Sequence, residues 1–464
     1  MVAKLKYIII RICLLAGVLV ASNYLYKYTL WPSDVHQHAD LIDSITKYQM
    51  QTDILFISSS SNYFHSKPDS NTTTISSWLN KFYPSLRINS ISKGYLHAGV
   101  AENIMNYIDK DAPIKTIVIE LNIRSLGPFW INSETESSYS VQKLIMNKQI
   151  PSLFKRFLLS LGYYDTRTKE EREKIFLNEW KTDSIYFNGK YPAKTVLDWE
   201  LSLINNLKIF TLEGNLDKER TYFACNLVKM LALQIDTAKN ARIKNLDEIV
   251  RIAKKRKWNL VFVILPEEYD KSAEMVGEEL TMLLDSTANM LKKRYQKEDI
   301  ILVDNMKLLT SNYFYEVYPT EHYLSSGKAY VAEEIAKAIK PIYPDKFIAV
   351  TYKKPSPYLP SEEQIIKKIE CIKNNSDWYQ FILKKAADNK IHPDTMLKFD
   401  AIWELKKNSI VYPEIAFLAD IDRIKKQIRN NPGWAKLVSD KAQKRGVSFE
   451  KQLDDDARYI AEKD

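Results

Sequence analysis

The chain has 464 residues, 45% of them hydrophobic and 27% charged; this composition excludes wholesale disorder, and the length predicts two or three domains. The formal net charge is +9, but basic residues alternate with acidic ones, as in residues 169–174, and form no stripe with interleaved aromatic residues. We therefore expect no nucleic-acid partner. Three scattered cysteines, no paired His/Cys spacing and no glycine-rich phosphate loop predict neither a metal site nor a cofactor.

Residues 1–31 have the pattern of a membrane anchor. Lys4, Lys6 and Arg11 precede or interrupt an apolar run whose uninterrupted part is residues 12–21. A membrane span needs about 20 apolar residues, so the run suffices if Arg11 extends toward the lipid headgroups. Positive charge ahead of the run places the N-terminus in the cytoplasm and the bulk of the chain outside, in the periplasm, as a single-pass protein of the inner membrane.

The alternative to an anchor is a signal peptide cleaved near Ser22. We favour the uncleaved anchor, because Tyr24, Tyr26, Tyr28 and Trp31 continue the apolar segment as an interfacial aromatic belt.

Five short apolar segments, each bounded by turn residues, predict β-strands. They are residues 53–57, 86–91, 115–121, 260–265 and 300–304, with helix-like segments at 76–82, 100–108, 273–295 and 327–339. Such alternation is typical of a parallel sheet covered by helices on both faces, and it predicts one α/β domain formed by residues 45–127 and 258–345.

Residues 128–257 show no strand pattern and have helical periodicity at 151–161, 196–207 and 221–235. They predict a helical insertion in the α/β domain. Long insertions near loops that carry a site often act in binding, so we expect a lid or a platform for an acceptor substrate.

Residues 361–464 follow a linker marked by Pro355, Pro357 and Pro360 and contain a repeat without gaps. Trp378 is matched by Trp434, 56 positions later (434 − 378 = 56). The same offset relates Asn375 to Asn431, Ala386 to Ala442, Ile391 to Val447, Leu397 to Leu453, Asp400 to Asp456, Ala401 to Ala457 and Trp403 to Tyr459. These matches predict a duplicated helical hairpin, interpreted as a packing or docking appendage without chemistry.

The first predicted strand runs directly into four serines, 58 to 61, in the sequence DILFISSSSN. A nucleophile benefits from this position, because the strand end is rigid and the following turn exposes backbone N–H groups. A polar loop that is merely rich in serine is the alternative.

Three further residues follow or precede elements of the same predicted sheet. Gly94 follows the second strand and Asn122 the third, where a backbone N–H and a side-chain amide can donate to an oxyanion, although such residues are usually turn formers. His322 lies in the loop before the last helix, at the sheet edge where the first strand ends, and can act as a general base. His65 and His97 are the minor alternatives to His322.

In this order and on these strands, the four elements resemble the SGNH (GDSL-like) hydrolase superfamily, over residues 50–125 and 258–340. The resemblance places Ser58 at the family's glycine, Ser59 at its aspartate and Ser60 at its nucleophile. It also implies an oxyanion hole formed by the Ser60 N–H, Gly94 and Asn122, and His322 as the base.

The sequence departs from the family's pattern at the acid that orients the histidine. The family places aspartate three residues before the histidine, where this chain has Pro319, and the nearest carboxylates are Glu316 and Glu321. We expect Glu321 to be the orienting acid, or else a Ser–His dyad without one. The third block is also altered, to Glu120, Leu121, Asn122 and Ile123.

The pattern looks most like anchored, extracytoplasmic members that assist acyl or acetyl transfer onto cell-surface polymers, and like uncharacterised relatives in Bacteroidetes-type bacteria. The resemblance implies a serine esterase or O-acyl/acetyltransferase that acts on a surface glycan, with a membrane-bound acyltransferase as partner. A catalytically weak or inactive relative that binds a glycan or a partner is the alternative, favoured by the altered motifs and by the duplicated C-terminal region.

Overall fold

The computed structural model describes residues 2–35, 39–65, 72–182, 184–187, 193–206, 218–297, 299–314, 321–350, 362–389, 392–407, 421 and 424–463. Its centre is a five-stranded parallel sheet formed by β1 (Ile54–Ser58), β2 (Ile88–Ser92), β3 (Thr116–Leu121), β6 (Asn259–Ile264) and β7 (Ile300–Asp304), while β4 (Ser184–Phe187) and β5 (Ala193–Thr195) form a separate hairpin. The strands of the sheet lie in the order β2-β1-β3-β6-β7. The predicted α/β class with a parallel sheet is confirmed.

Helices cover both faces of the sheet, each over its own hydrophobic cluster. One face packs against Ala39–Tyr48, Ala98–Tyr107, Ala241–Arg256 and Glu278–Tyr295, and the other against Ile75–Phe82 and Ser325–Ile339. Because both faces are covered, β1 and β3 are buried along their whole length. Continuous apolar runs are the expected sequence of such strands.

The order of the strands brings the candidate residues to one edge. In the parallel register Ser58 of β1 is paired with Ser92 of β2, and Ile57 with Ile119 of β3. The carboxyl ends of these three strands therefore lie side by side. In open α/β sheets this edge, beside the point where the strand order reverses, is where ligands bind.

The region between β3 and β6 is mostly helical, as predicted, and its buried residues, among them Trp199 and Leu227, belong to the cluster that covers one face of the sheet. Its helices are Pro128–Ile131, Thr135–Met146, Ser152–Ser160, Lys169–Thr182, Val196–Asn206, Lys218–Leu231 and Ala241–Arg256. The antiparallel hairpin β4–β5 was not predicted. Such short strands leave too little alternation in the sequence to be told from a loop.

The helix predicted over residues 273–295 is two helices, Tyr269–Met275 and Glu278–Tyr295. Gly277 separates them with a φ of 131°, a conformation that other residues rarely adopt, so the helix cannot continue through this position. Short 3-10 helices complete the domain at Gln49–Gln51, Ile123–Leu126, Ser311–Tyr313 and Pro344–Lys346.

The C-terminal region is helical, with Glu362–Asn374, Ser376–Asn389, Pro393–Lys407, Pro432–Arg445 and Phe449–Lys463. Equivalent positions make equivalent contacts. Asn375 accepts a hydrogen bond from the Trp378 N–H at 3.1 Å, and Asn431 accepts one from Trp434 at 3.1 Å. The ion pair of Lys385 with Asp400 likewise recurs between Lys441 and Asp456. The linker prolines 355, 357 and 360 and the repeat position Ile391 lie outside the described residues.

The N-terminal helix Val2–Thr29 contains a segment, Leu5–Thr29, that is long and apolar enough to cross a membrane. A signal sequence near the N-terminus has the same properties. The short helix Trp31–Asp34 and the helix Ala39–Tyr48 connect it to the sheet.

Candidate active site

Ser60 and His322, which are 262 residues apart in the sequence, are in contact. The Ser60 Oγ and the His322 Nε2 are 2.9 Å apart, a hydrogen-bond distance. Ser60 follows β1 and His322 precedes the helix Ser325–Ile339, so the two meet at the carboxyl edge of the sheet. A hydroxyl hydrogen-bonded to an imidazole is the arrangement that activates a serine nucleophile.

The neighbouring serines are engaged with other groups. The Ser58 hydroxyl lies 2.6 Å from that of Ser92, and the Ser61 hydroxyl donates to the Glu120 Oε2 at 2.5 Å. The Ser59 hydroxyl contacts that of Ser61 at 2.7 Å, and the Ser59 N–H donates to the same Glu120 oxygen at 3.1 Å. Of the four serines, Ser60 is the one that faces the histidine, while the others are buried.

The turn after Ser60 is fixed by backbone and side-chain hydrogen bonds. The Ser60 carbonyl accepts from the N–H groups of Tyr63 at 3.1 Å and Phe64 at 2.7 Å. The Asn62 side chain donates to Ser92 and accepts from the Ser76 N–H, tying the turn to β2 and to the following helix. The nucleophile candidate therefore sits on a rigid turn.

His322 is held against an aromatic ring and is largely desolvated. The Phe64 ring stacks on the imidazole with centroids 4.1 Å apart and planes at 13°, and Lys328 donates to the Phe64 carbonyl. Burial lowers the pKa of His322 below its ordinary value of 6.5, and the positive charges of Arg124 and Lys328 lower it further against the opposing effect of Glu321. The imidazole is therefore neutral at neutral pH, as a general base must be.

We expect kcat/KM for ester turnover to fall as the pH is lowered through the pKa of His322, with a midpoint below 6.5, because protonated imidazole cannot accept the serine proton. A pH–rate profile of the wild-type protein measures this midpoint. A midpoint above 7 in a folded protein would contradict the assignment of the base to a desolvated His322.

Glu321 is directed to an arginine. Arg124 Nε donates to one Glu321 oxygen at 2.6 Å and Arg124 Nη2 to the other, and both side chains are buried. Within the described residues, no carboxylate is hydrogen-bonded to His322. Glu321, the acid expected to orient His322, is therefore ion-paired with Arg124 and is not hydrogen-bonded to the imidazole. Glu316 and Pro319 lie outside the described residues.

Glu120 is the acidic residue of the mostly apolar strand β3, and its side chain lies against the serine turn. Its Oε2 accepts from Ser59 and Ser61, and its Oε1 has no hydrogen-bond partner in the described part of the chain. Burial raises the pKa of Glu120 to about 8, although the hydrogen bonds from Ser61 and Ser59 lower it. At neutral pH the Glu120 carboxyl is protonated, so it places no negative charge beside an oxyanion at Ser60.

Replacing Glu120 by glutamine should flatten the dependence of stability on pH. The folded pKa of about 8 exceeds the ordinary 4.5, so the contribution of the protonated group is complete below pH 4.5 and is lost as the pH rises through 8. Glu120→Gln stays neutral and should lose less stability than wild type between pH 5 and 8. Parallel urea unfolding curves at both pH values measure the difference, and identical losses in the two proteins would show that Glu120 is ionised when folded.

The two remaining oxyanion candidates lie at the same sheet edge, two residues after β2 for Gly94 and directly after β3 for Asn122. A Cβ added to Gly94 would meet the Tyr63 hydroxyl at 3.5 Å, an ordinary contact, so packing does not require glycine there. The next residue, Tyr95, has a φ of 60°, the kind of strain that clusters at functional sites. Asn122 is buried, and its Oδ1 has no partner among the described residues.

The alternative histidines have different surroundings. His65 is exposed, and its Nδ1 lies 3.2 Å from the Tyr63 carbonyl oxygen. His97 is buried at the start of the helix Ala98–Tyr107, where its Nδ1 accepts from the Gly99 N–H, and its Nε2 lies 3.4 Å from Glu136. His322 is the histidine that contacts Ser60.

Three residues of this site were missed in the sequence: Glu120, Arg124 and Phe64. A single glutamate inside the apolar run KTIVIEL was a usable signal, because a carboxyl group in a doubly covered strand must have buried partners. Arg124 and Phe64 have no such signal in the sequence, because each contacts a residue that is about 200 or more positions away.

The fold and the site define an α/β protein whose five-stranded parallel sheet carries a Ser–His pair at its carboxyl edge. No family model matches the chain, and no curated protein matches it. Among solved structures it is distantly similar to one from Bacteroides fragilis, provisionally named an acylhydrolase, with 10% identity and a TM-score of 0.31, over 66% of this chain and 97% of that one. A second, from Streptococcus pneumoniae and provisionally named a platelet activating factor, has 11% identity and a TM-score of 0.29, over 69% and 97%.

Proposed function

We propose that this protein catalyses acyl-ester chemistry with Ser60 as the nucleophile and His322 as the general base. The observation that carries the proposal is the 2.9 Å contact between the Ser60 Oγ and the His322 Nε2. It is supported by the rigid serine turn and by the lowered pKa of His322, which keeps the imidazole ready to accept a proton.

In the first step, His322 Nε2 takes the Ser60 hydroxyl proton while Oγ bonds to the ester carbonyl carbon. The negative charge that develops on the carbonyl oxygen is stabilised by the Ser60 N–H, Gly94 and Asn122. The C–O bond to the alcohol then breaks, the alcohol leaves with the proton from His322, and Ser60 remains acylated.

In the second step, His322 takes a proton from water or from a sugar hydroxyl, whose oxygen attacks the acyl carbon. The bond to the Ser60 Oγ breaks and the serine regains its proton. Water as acceptor makes the protein an esterase, and a sugar makes it an O-acyl- or acetyltransferase. The role of Glu321 as an orienting acid is not part of this mechanism, since Arg124 engages both of its oxygens.

We further propose that the N-terminal helix stays in the membrane as an anchor, with the sheet domain in the periplasm. A cell-surface glycan is then the ester substrate or the acyl acceptor, and a membrane-bound acyltransferase is the partner that delivers the acyl group. The apolar segment Leu5–Thr29 supports this placement, together with the basic residues that precede it.

Labelling with a fluorophosphonate probe tests the proposal, because the probe bonds covalently to activated serine hydroxyls. Wild type should be labelled, whereas Ser60→Ala and His322→Ala should not be, with circular dichroism showing that each variant is folded. Absence of labelling in folded wild type would refute acyl chemistry at Ser60.

A second candidate is a glycan-binding protein without turnover, favoured by the ion pair that takes Glu321 away from His322. It predicts that Ser60→Ala and His322→Ala are both still retained on a surface-polysaccharide column. It also predicts that the fluorophosphonate probe does not label the wild-type protein. Labelled wild type would exclude it.

A further inference from the structure

The helix Ser152–Ser160, with the residue Leu161 that follows it, carries an apolar stripe that points away from the protein. Phe154, Phe157, Leu158 and Leu161 occur at the i, i+3, i+4 and i+7 spacing that normally faces a core. Here Phe154 is 51% exposed, Phe157 54% and Leu161 65%, with Leu158 half-buried. An exposed stripe of this kind marks a surface that another apolar phase covers.

The opposite side of the same helix is fixed to the protein. Ser152 and Lys155 are buried, and the Lys155 ammonium donates to the Ile145 carbonyl at 2.7 Å. Burying a lysine stem and pairing its head within the fold sets the rotation of the helix about its axis. The stripe therefore faces outward as a fixed surface.

The helix packs against the end of the N-terminal apolar helix. The Asn23 Oδ1 accepts from the Leu153 N–H at 3.0 Å, which caps the first turn. The Lys155 ammonium lies over the Trp31 ring at 5.1 Å from its centroid. Asn23 belongs to the last turns of the segment Leu5–Thr29, so the stripe begins at the level where that segment would leave the hydrocarbon.

The residues that follow extend the exposed surface. Gly162 has a φ of 68° and ends the helix, and Tyr163 is 71% exposed and Tyr164 37% exposed. Tyrosine rings are suited to the boundary between hydrocarbon and water. Arg156, on the helix Ser152–Ser160 itself, is exposed. Its Nη1 lies 3.8 Å from the Oδ1 of Asp34, which follows the N-terminal apolar helix.

We propose that the helix Ser152–Ser160, with Leu161, Tyr163 and Tyr164, is a second membrane contact that lies in the outer headgroup region of the bilayer beside the N-terminal anchor. An interfacial helix of this type buries its apolar side at the boundary of headgroups and acyl chains while basic residues meet anionic lipids. It fixes the orientation of the sheet domain relative to the membrane. The inference rests on the anchoring part of the proposed function and is independent of the acyl chemistry.

Lipid quenching of a fluorophore on the full chain tests the inference. Phe157→Cys is made in a Cys13→Ser and Cys371→Ser background, labelled with an environment-sensitive dye, and reconstituted into vesicles of phosphatidylethanolamine and phosphatidylglycerol. Cys225 is buried and is spared by the label. We expect blue-shifted emission that is mostly lost when the lipids carry a nitroxide near the headgroup.

Two matched positions make the result decisive. The dye at Met282→Cys, a similarly exposed apolar position on the helix Glu278–Tyr295, should stay in water and lose little emission. The dye on the native Cys13 reports whether the apolar helix is inserted. Quenching at Cys13 without quenching at 157 would overturn the second contact and leave the anchor standing, whereas quenching at neither would overturn both.

A blue shift at 157 that lipid nitroxides do not quench would mean that a protein partner or a second copy of the chain covers the stripe. That outcome would also overturn the proposal. The same variants assayed for fluorophosphonate labelling separate a failure of the membrane contact from a failure of the acyl chemistry.

Discussion

Ser60→Ala and His322→Ala are each expected to lower kcat/KM for a soluble acetyl ester by about four orders of magnitude. Ser60→Ala removes the atom that forms the acyl bond, and His322→Ala removes the base 2.9 Å away from it. Because the two groups act as a unit, the double variant should be no worse than the single ones. Initial rates with p-nitrophenyl acetate measure all three.

Ser61→Ala is the matched control for these variants, since it removes a hydroxyl from the same run of serines. The Ser61 hydroxyl contacts Glu120 and Ser59 and not His322, so its loss should lower kcat/KM by no more than about tenfold, through weakened hydrogen bonding in the turn. If the folded Ser61→Ala protein is as inactive as Ser60→Ala, the assignment of the nucleophile to Ser60 is wrong.

Arg124→Met is expected to lower the free energy of unfolding by about 3–5 kcal/mol, the usual effect of removing one member of a buried ion pair. Without Arg124, Glu321 remains buried and loses the guanidinium that pairs with both of its oxygens, and Glu267, another buried carboxyl near Arg124, loses the charge that lowers its pKa. Urea unfolding at pH 7 measures the loss.

The double variant Arg124→Met/Glu321→Met separates the ion pair from packing, because replacing both charges by apolar groups leaves no charge unpaired. It should recover most of the stability lost in Arg124→Met. A loss below about 1 kcal/mol in the single variant would instead be typical of an exposed pair, contrary to the burial of both side chains.

The sheet could be predicted because its strands have a simple sequence pattern. Segments such as 260–265 and 300–304 are short, apolar and bounded by turn residues, and strands covered on both faces need no alternation. The hairpin β4–β5 and the break at Gly277 depend on a few local residues, and periodicity over a longer window does not detect such features.

The positions of Ser60 and His322 could be predicted because parallel strands bring all their carboxyl ends to one edge, whatever the distance along the chain. The partner of Glu321 could not be predicted, because a carboxylate next to a histidine has no sequence signature that separates an orienting acid from half of an ion pair. That choice depends on Arg124, 197 residues away, and only the packed fold brings the two together.

The same limit applies to the helix Ser152–Ser160. Its periodicity predicts a helix and an apolar side, but not whether that side faces the core or the exterior. The direction is set by the burial of Lys155 and by the contact with Asn23, which belongs to a distant part of the chain.

The position of the fluorophosphonate adduct tests acyl chemistry at Ser60 most directly. Proteolysis of the labelled wild-type protein followed by fragment mass spectrometry can distinguish the four serines from 58 to 61. We expect the adduct on Ser60 and no adduct in His322→Ala. An adduct on any other residue, or one that persists without His322, would contradict a nucleophile activated by the contact between these two side chains.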